Sequence, residues 1–335
     1  MNAPINTHVT PQRIMQMAWG YAAPLVIESA IRTGIFDALN DFPMTLEEVH
    51  SKTGASTRGL AAIMNALCGL ELLDRDAEGR YSLTPESATF LIRSKPSFMG
   101  GLILHTSSQL IPKWLHLTEI VKSGKPAAAV NQQDTGVEFF QQFVADIFPM
   151  SYAPAQALAA ELKLDKARVL DLAAGSGVWG IALAQSSPNV EVTAVDWPGV
   201  LPVTKKIVAR FGLENRFTFI AGDLLTADFG SHYNVATLGH ILHSEGEARS
   251  HRLLAKTFEA LAPGGTISIA EFLVNADRKG PINGLFFAVN MLVNTDEGDT
   301  YSFEEISSWL KQAGFVNPRL LDSPGPSPLI LATKP

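Results

Sequence analysis

The sequence predicts an α/β fold in which a mainly parallel β-sheet, closed by an antiparallel hairpin, follows a mainly helical N-terminal part. Three observations support this fold class. Short β-rich runs alternate with helical patterns between Val169 and Ala270, a glycine-rich turn follows the first of these runs, and two short strands around a proline-rich turn end the chain. Because strands that alternate with helices usually pair in parallel, we expect a ligand site at the carboxyl ends of the strands.

The first hundred residues have the pattern of a winged helix-turn-helix. The run Thr45–Glu48 is a capping box that opens a short helix, and Ser56 caps a second helix with apolar residues at helical spacing. Residues 72–83 then have the pattern of a two-stranded wing. An apolar helix from Pro11 to Ile31, interrupted at Pro24, is expected to precede this module.

A winged helix can bind DNA, so a ligand-sensing transcription regulator is one hypothesis. The corresponding recognition helix, Ser56 to Leu70, carries Arg58 as its one cation, whereas a helix that reads DNA needs several. The whole chain has 26 Lys and Arg against 33 Asp and Glu, which gives a net charge of −7. Both observations disfavour nucleic acid as a partner.

The glycine-rich segment is the strongest motif in the chain. Residues 169–180 read Val-Leu-Asp-Leu-Ala-Ala-Gly-Ser-Gly-Val-Trp-Gly, an apolar strand that runs through a glycine turn into a helix, as in nucleotide-binding sites. Gly175-x-Gly177-x-x-Gly180 also fits the dinucleotide fingerprint, so an NAD-dependent dehydrogenase is a possible alternative. Asp171 favours a ligand with an ammonium group, such as the methionine end of S-adenosylmethionine, because an acid would repel a pyrophosphate.

The next two predicted strands also carry acids at their ends. The strand Val190–Asp196 ends in Asp196, where a carboxylate can bind a ribose diol, and Trp197 can lie against an adenine. The strand Phe217–Leu224 ends near Asp223, which can accept a hydrogen bond from an adenine amino group. Any one of these acids could simply cap a helix, but three acids in order at strand ends indicate a ligand site.

Two further strands and a hairpin complete the predicted sheet. A fourth strand covers Tyr233–Leu238, and a turn at Leu261–Gly265 leads into a fifth strand at Thr266–Ala270. The hairpin follows a last helix and encloses a turn that is rich in proline. The helix is expected at Ser302–Ala313, the strands at Arg319–Leu321 and Leu329–Ala332, and the turn at Pro324–Pro328.

Length and composition agree with two domains. The 335 residues are 46% hydrophobic, and we expect a winged-helix domain at residues 1–115 and a catalytic domain with a helical connector at residues 116–335. A single cysteine, Cys68, excludes an internal disulfide. We expect a cytoplasmic protein, because no apolar run approaches the roughly 18 residues of a membrane span and residues 1–6 do not resemble a signal peptide.

Together these motifs resemble class I S-adenosylmethionine-dependent methyltransferases. More narrowly, the chain resembles the O-methyltransferases that join an N-terminal winged-helix dimerisation domain to this Rossmann-like fold, including plant caffeate and flavonoid enzymes and bacterial natural-product enzymes. The resemblance extends from about Pro11 to the end. It implies S-adenosylmethionine as methyl donor and a homodimer formed through the N-terminal domain. The family's cofactor contacts match Gly175, Gly177, Asp196, Asp223, Leu224 and Gly239, and with Asp171, Ser176 and Trp197 these complete the predicted cofactor site.

The resemblance also separates the two enzyme classes. A closing hairpin is what the methyltransferase sheet uses to insert an antiparallel strand, and a dehydrogenase does not require one. Three alternatives to O-methylation still share the methyltransferase fold: transfer to carbon, transfer to nitrogen, and a relative that binds the cofactor without methylating.

A helix after the connector carries the predicted acceptor site. Phe139, Phe143 and Ile147 recur every four residues, a spacing that by itself is typical of ordinary core packing. The resemblance implies that this helix faces the acceptor, and that Met291 contacts it as well. Aromatic rings and a methionine would suit a flat aromatic acceptor.

The catalytic residues are expected just after the fourth strand. His243 matches the catalytic His of the family, although Ser244-Glu245 follows it where the family usually has Asp-Trp or another His. A phenol has a pKa of about 10, so a general base would help its methylation. His240, one helical turn earlier, is expected to face the cofactor or to pack.

An orienting acid is expected beside the base. Glu271 matches the first of two acids that flank the base in the plant enzymes. The second position falls on Thr300, so that Asp299 is only a neighbour that could substitute for it. No metal-ligand spacing of carboxylates and histidines stands out, so we expect no metal site.

Overall fold

The computed structural model describes residues 9–325 and 327–335, with the backbone alone for residues 133–135 and 142. The chain divides into two compact units, Met1–Leu110 and Ile111–Pro335. The domain boundary expected at residue 115 stays a prediction.

Helices dominate the first unit, and a small antiparallel hairpin follows the fifth helix. The Thr45 capping box and the Ser56 cap are both present, and the hairpin forms the wing. A π-helix at Thr106–Leu110 ends the unit. The other elements are α1 (Gln12–Ala18), α2 (Ala22–Thr33), α3 (Ile35–Ala38), α4 (Leu46–Thr53), α5 (Thr57–Gly69), β1 (Leu73–Arg75), β2 (Tyr81–Leu83), α6 (Pro85–Phe90) and α7 (Gly100–His105).

The break in the first apolar helix differs from its predicted position. The structure ends α1 at Ala18 and begins α2 at Ala22, so the interruption falls on residues 19–21. Pro24 lies in the first turn of α2. A proline is tolerated there because backbone N–H groups in the first turn have no partner within the helix.

The second unit alternates strands with helices after a helical segment. A 3₁₀ turn at Glu214–Arg216 precedes the third strand of its sheet. The elements are α8 (Ile111–Trp114), α9 (Leu117–Ser123), α10 (Gln133–Asp146), α11 (Phe148–Leu162), β3 (Lys166–Leu172), α12 (Val178–Ser186), β4 (Asn189–Asp196), α13 (Leu201–Arg210), β5 (Phe217–Ala221), β6 (Tyr233–Gly239), α14 (Leu242–Ala260), β7 (Leu261–Ala270), α15 (Ile282–Asn294), α16 (Phe303–Gln312), β8 (Val316–Leu321) and β9 (Leu329–Thr333).

The sheet has the order β5-β4-β3-β6-β7-β9-β8. All pairs from β5 to β7 are parallel, and β9 lies antiparallel to both of its neighbours. This arrangement confirms the predicted α/β class and its closing hairpin. The strand order reverses between β3 and β6, and open α/β sheets bind ligands at such a switch point, beyond the carboxyl ends of the strands.

The turn predicted at Leu261–Gly265 is part of strand β7. Tyr233 pairs with Leu261 and Val235 with Thr266, so the intervening residues of β7 are accommodated by a shift in register. The backbone of Gly265 accepts a hydrogen bond from Lys334 N at 2.8 Å. The end of the chain therefore pairs with this irregular stretch, which keeps it within the strand.

Buried apolar side chains cover both faces of the sheet. One cluster includes Trp179 and Val192, and the other includes Leu238 and Trp309. With both faces covered, the strand ends are the part of the sheet that polar ligands can reach. Across the described ranges, we find no helix with the length and apolar character needed to cross a membrane.

Candidate active site

The glycine turn lies at the switch point, between β3 and α12. Gly175 and Gly177 have φ angles of 54° and 75°, a left-handed conformation that favours glycine. Thr204 Oγ1 donates a hydrogen bond to Gly175 O at 2.6 Å, which fixes the turn from α13. The turn therefore presents backbone, rather than side chains, at the edge of the sheet. Ser176 lies within it and is buried.

Asp171, near the end of β3, is hydrogen-bonded to the helix that follows the turn and to the neighbouring strand β6. Its Oδ2 accepts a hydrogen bond from Gly180 N at 3.0 Å and its Oδ1 accepts one from Thr237 Oγ1 at 2.7 Å. The side chain is fully buried, and burial raises its pKa to about 7. The two oxygens thus join β3 to α12 and β6, and the full burial of the side chain does not favour the direct contact with an ammonium group that the sequence suggested.

Asp196 holds the turn from the second strand. Its Oδ2 accepts from Gly175 N at 2.7 Å, and its Oδ1 accepts from Trp197 N at 2.7 Å. Burial raises the pKa of Asp196 to about 6. Each carboxylate oxygen can accept a further hydrogen bond, so the residue can position the turn and still bind a ligand hydroxyl.

Helix α10 covers the loop that contains Trp197. The Phe140 and Trp197 rings meet edge to face with centroids 5.9 Å apart, and Gln141 Nε2 donates to Gly199 O at 2.6 Å. The helix approaches closely at Gly136, where a Cβ would lie 2.7 Å from the Trp197 ring. The contacts with α10 therefore hold the Trp197 ring, and the loop that carries it, in place.

Asp223 is part of a charged cluster that the sequence analysis missed. Arg249 Nη2 donates to Asp223 Oδ2 at 2.8 Å, and Arg249 Nε donates to Glu245 Oε2 at 2.6 Å. Burial by itself would raise the pKa of Asp223, but the bond and charge of Arg249 lower it overall. The four-residue spacing of Glu245 and Arg249 was the available signal, although Gly246 between them has non-helical backbone angles and kinks α14.

A cavity of about 410 Å³ opens beside this cluster. Its lining is polar apart from one indole ring, and it combines a single guanidinium with several carboxylates. This composition suits a polar ligand that carries both hydrogen-bond donors and positive charge. The lining residues are Asn131, Gln132, Trp197, Asp223, Glu245, Arg249, Asp296 and Glu297.

Two other predicted cofactor residues serve the packing of the sheet edge. Leu224 is buried. A Cβ at Gly239 would lie 1.9 Å from Trp179 Nε1, so glycine is required for the indole to pack there. Contact of either residue with a cofactor stays a prediction.

His243 and Glu271 form a buried pair at the start of α14 and the end of β7. Their Nδ1 and Oε2 atoms are 2.7 Å apart, and Glu271 Oε1 accepts from His243 N at 3.3 Å. The two residues are 8% and 2% exposed. Burial alone would raise the pKa of Glu271, but His243 offsets this and lowers it. With Nδ1 directed at the carboxylate, Nε2 is the ring nitrogen that can take up a proton.

Aromatic rings surround this pair. Phe287 meets the His243 ring edge-on at 4.8 Å, and Phe272 lies 4.2 Å from Phe287. His240 stacks on Phe272 at 4.9 Å, and burial lowers its pKa to about 4, which keeps it neutral near pH 7. Met291, one helical turn beyond Phe287 on α15, is also buried. The imidazole of His243 therefore lies in a largely apolar environment.

The carboxylate of Asp299, the residue considered as the second flanking acid, has partners other than His243. Asp299 N donates to His243 O at 2.9 Å, but Asp299 Oδ1 accepts from Thr300 N at 2.7 Å and Oδ2 lies 3.8 Å from Arg278 Nη1. Thr300 Oγ1 donates to Gly284 O at 3.2 Å. The Asp299 backbone thus supports the loop around His243, while its carboxylate does not match the role of the family's second acid.

The predicted acceptor stripe is only partly helical. Phe139 and Phe143 lie on α10 with ring centroids 5.7 Å apart. Ile147 lies at the junction between α10 and α11, outside either helix. The helix ends there because Pro149, in the first turn of α11, cannot donate the next backbone hydrogen bond. Among the residues that the structure describes, no group of three or more His, Cys, Asp or Glu could hold a metal ion.

Family models match most of the chain. Residues 114–316 match the O-methyltransferase domain, and residues 15–93 match the O-methyltransferase dimerisation domain. A relative from Streptomyces sahachiroi, 3-hydroxy-5-methyl-1-naphthoate 3-O-methyltransferase, is 29% identical over 97% of this chain and 95% of its own length.

Solved structures share the fold. A candidate O-methyltransferase from Nostoc punctiforme PCC 73102 is 30% identical, with a TM-score of 0.88 over 97% of this chain and 100% of that one. Human N-acetylserotonin methyltransferase, solved in complex with S-adenosylmethionine, has a TM-score of 0.84 over 99% of both chains at 22% identity, a likeness of fold alone.

Proposed function

The chain belongs to the O-methyltransferase family and uses S-adenosylmethionine as its methyl donor, and from this premise we propose a reaction. We propose that the enzyme methylates a hydroxyl on a small aromatic acceptor, with His243 as the general base. The observation that carries this proposal is the 2.7 Å contact between His243 Nδ1 and the buried carboxylate of Glu271. A buried carboxylate at Nδ1 orients the ring and stabilises its protonated form, while Nε2 faces the reaction.

The cofactor edge of the sheet fits S-adenosylmethionine. The glycine turn exposes backbone, and Asn131 has a buried side-chain oxygen without a hydrogen-bond partner among the described residues, beside the polar cavity. We expect Asp196 to bind the ribose hydroxyls, Trp197 to lie against the adenine and Asp223 to accept from its amino group. Asp171 would act indirectly by holding the turn. When bound, S-adenosylmethionine supplies an electrophilic methyl group on a sulfonium sulfur.

The His243–Glu271 pair would provide proton transfer. His243 Nε2 would take the proton of the acceptor hydroxyl as that oxygen becomes the attacking nucleophile. Glu271 stabilises the resulting imidazolium by charge and hydrogen bond. The base then returns its proton to solvent after product release.

The apolar surroundings would contribute by excluding water. Phe272 and Phe287 pack against each other and against the His243 ring, so an acceptor that binds beside these rings would leave bulk solvent. In-line displacement at a methyl carbon depends strongly on the alignment of the attacking oxygen. The rings therefore would both align a flat acceptor and lower the local dielectric constant.

Two observations favour an aromatic acceptor. Rings from two helices, Phe139 and Phe143 on α10 and Phe287 on α15, together with Met291, offer flat apolar surfaces. The Streptomyces relative acts, by its name, on a hydroxylated naphthoate. We propose that this chain takes an acceptor of the same broad class.

We also propose a homodimer through the N-terminal unit. Residues 15–93 match the dimerisation domain, and Ile14, Met15, Met17 and Trp19 on or beside α1 are 63% to 73% exposed. An exposed apolar face of this kind is typical of an obligate interface, for which we expect more than about 2,000 Å² of buried area. Light scattering should give twice the chain mass at micromolar concentration, and a stable monomer would contradict the proposal.

The product of the reaction tests the proposed function. The full-length protein is incubated with S-adenosylmethionine and a panel of aromatic hydroxy compounds, and the products are identified by mass spectrometry and NMR. We expect one added methyl group on oxygen. Methylation on carbon or nitrogen, or tight cofactor binding without transfer to any hydroxyl, would contradict it and favour one of the same-fold alternatives.

A further inference from the structure

Lys113 on α8 is a half-buried cation near the acceptor helices. Its Nζ donates a hydrogen bond to Asn294 Oδ1 at 2.9 Å and stands 4.9 Å from the centre of the Phe139 ring. Within the described residues, the structure gives it no carboxylate partner. Burial lowers the pKa of the Lys113 ammonium, and no nearby acid raises it again. A partly buried ammonium that has only an amide and a ring as neighbours retains a strong preference for an anion.

The same helix face reaches from Lys113 to the proposed base. Phe287, Met291 and Asn294 on α15 are spaced four and three residues apart, so they lie on one side of the helix. Phe287 contacts the His243 ring, and Asn294 binds Lys113. The seven residues between these two contacts correspond to about 10 Å along the helix axis. An acceptor lying along this face would have the base at one end and a cation at the other.

A polar network keeps Lys113 in place. Asn294 is 2% exposed, and its Nδ2 donates to Asn290 O at 2.9 Å and to Asn290 Oδ1 at 3.1 Å. Trp114 Nε1, next to Lys113 in sequence, also donates to Asn290 Oδ1 at 3.1 Å. These bonds fasten α8 to α15. The neutral Asn294 amide holds the ammonium without cancelling its charge.

We propose that the acceptor carries an anionic oxygen group, a carboxylate, at the end opposite its methylated hydroxyl, and that Lys113 recognises that group. The inference rests on the proposed function, because it takes His243 as the reacting end. Two fused aromatic rings with an oxygen substituent at each end span a distance comparable to that between the two contacts on α15. An acceptor without the anion would leave the Lys113 charge unpaired in a partly desolvated position.

The test compares two matched acceptors. One is a hydroxynaphthoic acid with its hydroxyl and carboxylate at opposite ends of the rings, and the other is its methyl ester, which has the same shape but no charge. We expect the wild-type enzyme to prefer the acid. Lys113→Met should lower kcat/KM for the acid by about 10- to 100-fold, mainly through KM, and change the value for the ester less than about threefold. Lys113→Arg should retain the preference.

Controls separate recognition from folding. Lys122→Met, at an exposed lysine of α9 paired with Glu119, should leave both acceptors unaffected. Calorimetric binding of S-adenosylhomocysteine reports whether each variant is folded. Calorimetry of the two acceptors on that complex measures recognition without turnover, and equal affinities for acid and ester, or equal losses in Lys113→Met, would overturn the role of Lys113. Failure of the proposed function would look different, since the acid would bind preferentially while neither compound gained a methyl group on oxygen.

Discussion

The two ends of the proposed site are built in different ways, although both lie at the same edge of the sheet. At the cofactor end, Asp171 and Asp196 accept hydrogen bonds from backbone N–H groups within the glycine turn and its helix. At the acceptor end, the contacts are between side chains: the His243 imidazole, the Glu271 carboxylate and the Phe287 ring. The first end thus depends on backbone conformation and the second on side-chain identity.

Under the proposed assignment, this difference would separate donor binding from acceptor choice. A turn held by carboxylates and left-handed glycines keeps its shape when distant side chains change, which suits a donor common to a whole family. Rings and a single ion pair can be exchanged one at a time without disturbing the turn. Variation on α15, and of the Phe139 and Phe143 rings on α10, should therefore alter the acceptor and leave the donor unchanged.

The largest expected effect is at the acceptor end. His243→Ala should lower kcat by about 10²- to 10⁴-fold, because the hydroxyl would lose its base while donor and acceptor still meet. Affinity for S-adenosylmethionine, measured by calorimetry, should change less than about twofold. The matched control is His232→Asn. His232 is exposed and directly precedes the first residue of β6, at the end of the strand away from the site, so this variant should keep full activity. A loss below about tenfold in His243→Ala would indicate that proximity alone drives transfer.

The same contrast explains what the sequence could predict. The glycine turn, the acids at strand ends and the closing hairpin depend on residues that are close in sequence or repeat with the strands, so local patterns were sufficient. The strand position of Asp171 could be predicted, but the partner of its carboxylate could not, because Thr237 comes from a strand 66 residues away. Whether a carboxylate faces a ligand or the core depends on such distant partners.

Residues at the acceptor end were harder to predict for the same reason. Lys113 binds Asn294, which is 181 residues later in the chain, and no spacing rule connects them. Asp299 was considered as a second acid, yet Arg278 and Thr300 N determine where its carboxylate points. Ile147 was assigned to a continuous stripe because its four-residue spacing matched, although Pro149 ends the helix at that point.

A smaller effect is expected at the cofactor end. Asp196→Ala removes the acceptor of the Gly175 N–H bond and the expected partner of the ribose hydroxyls, so affinity for S-adenosylmethionine should weaken by about 1.5 to 3 kcal/mol. Calorimetry measures the change, and kcat at saturating donor should fall much less than in His243→Ala. Asp228→Ala, at a loop acid, serves as the control. Unchanged affinity in Asp196→Ala would break the proposed division between the two ends.

The smallest expected effect concerns stability, and it tests whether Asp171 is structural. Burial raises its pKa to about 7, above the value of about 3.9 in an unfolded chain, so the folded state holds the proton more tightly. The free energy of unfolding should therefore fall as pH rises from about 6 to about 8, by about 1 to 2 kcal/mol from this residue. Denaturant titrations of wild type and Asp171→Asn measure it. The amide cannot titrate, so the variant should lack this part of the slope, and an identical slope in both would show that Asp171 is ionised throughout.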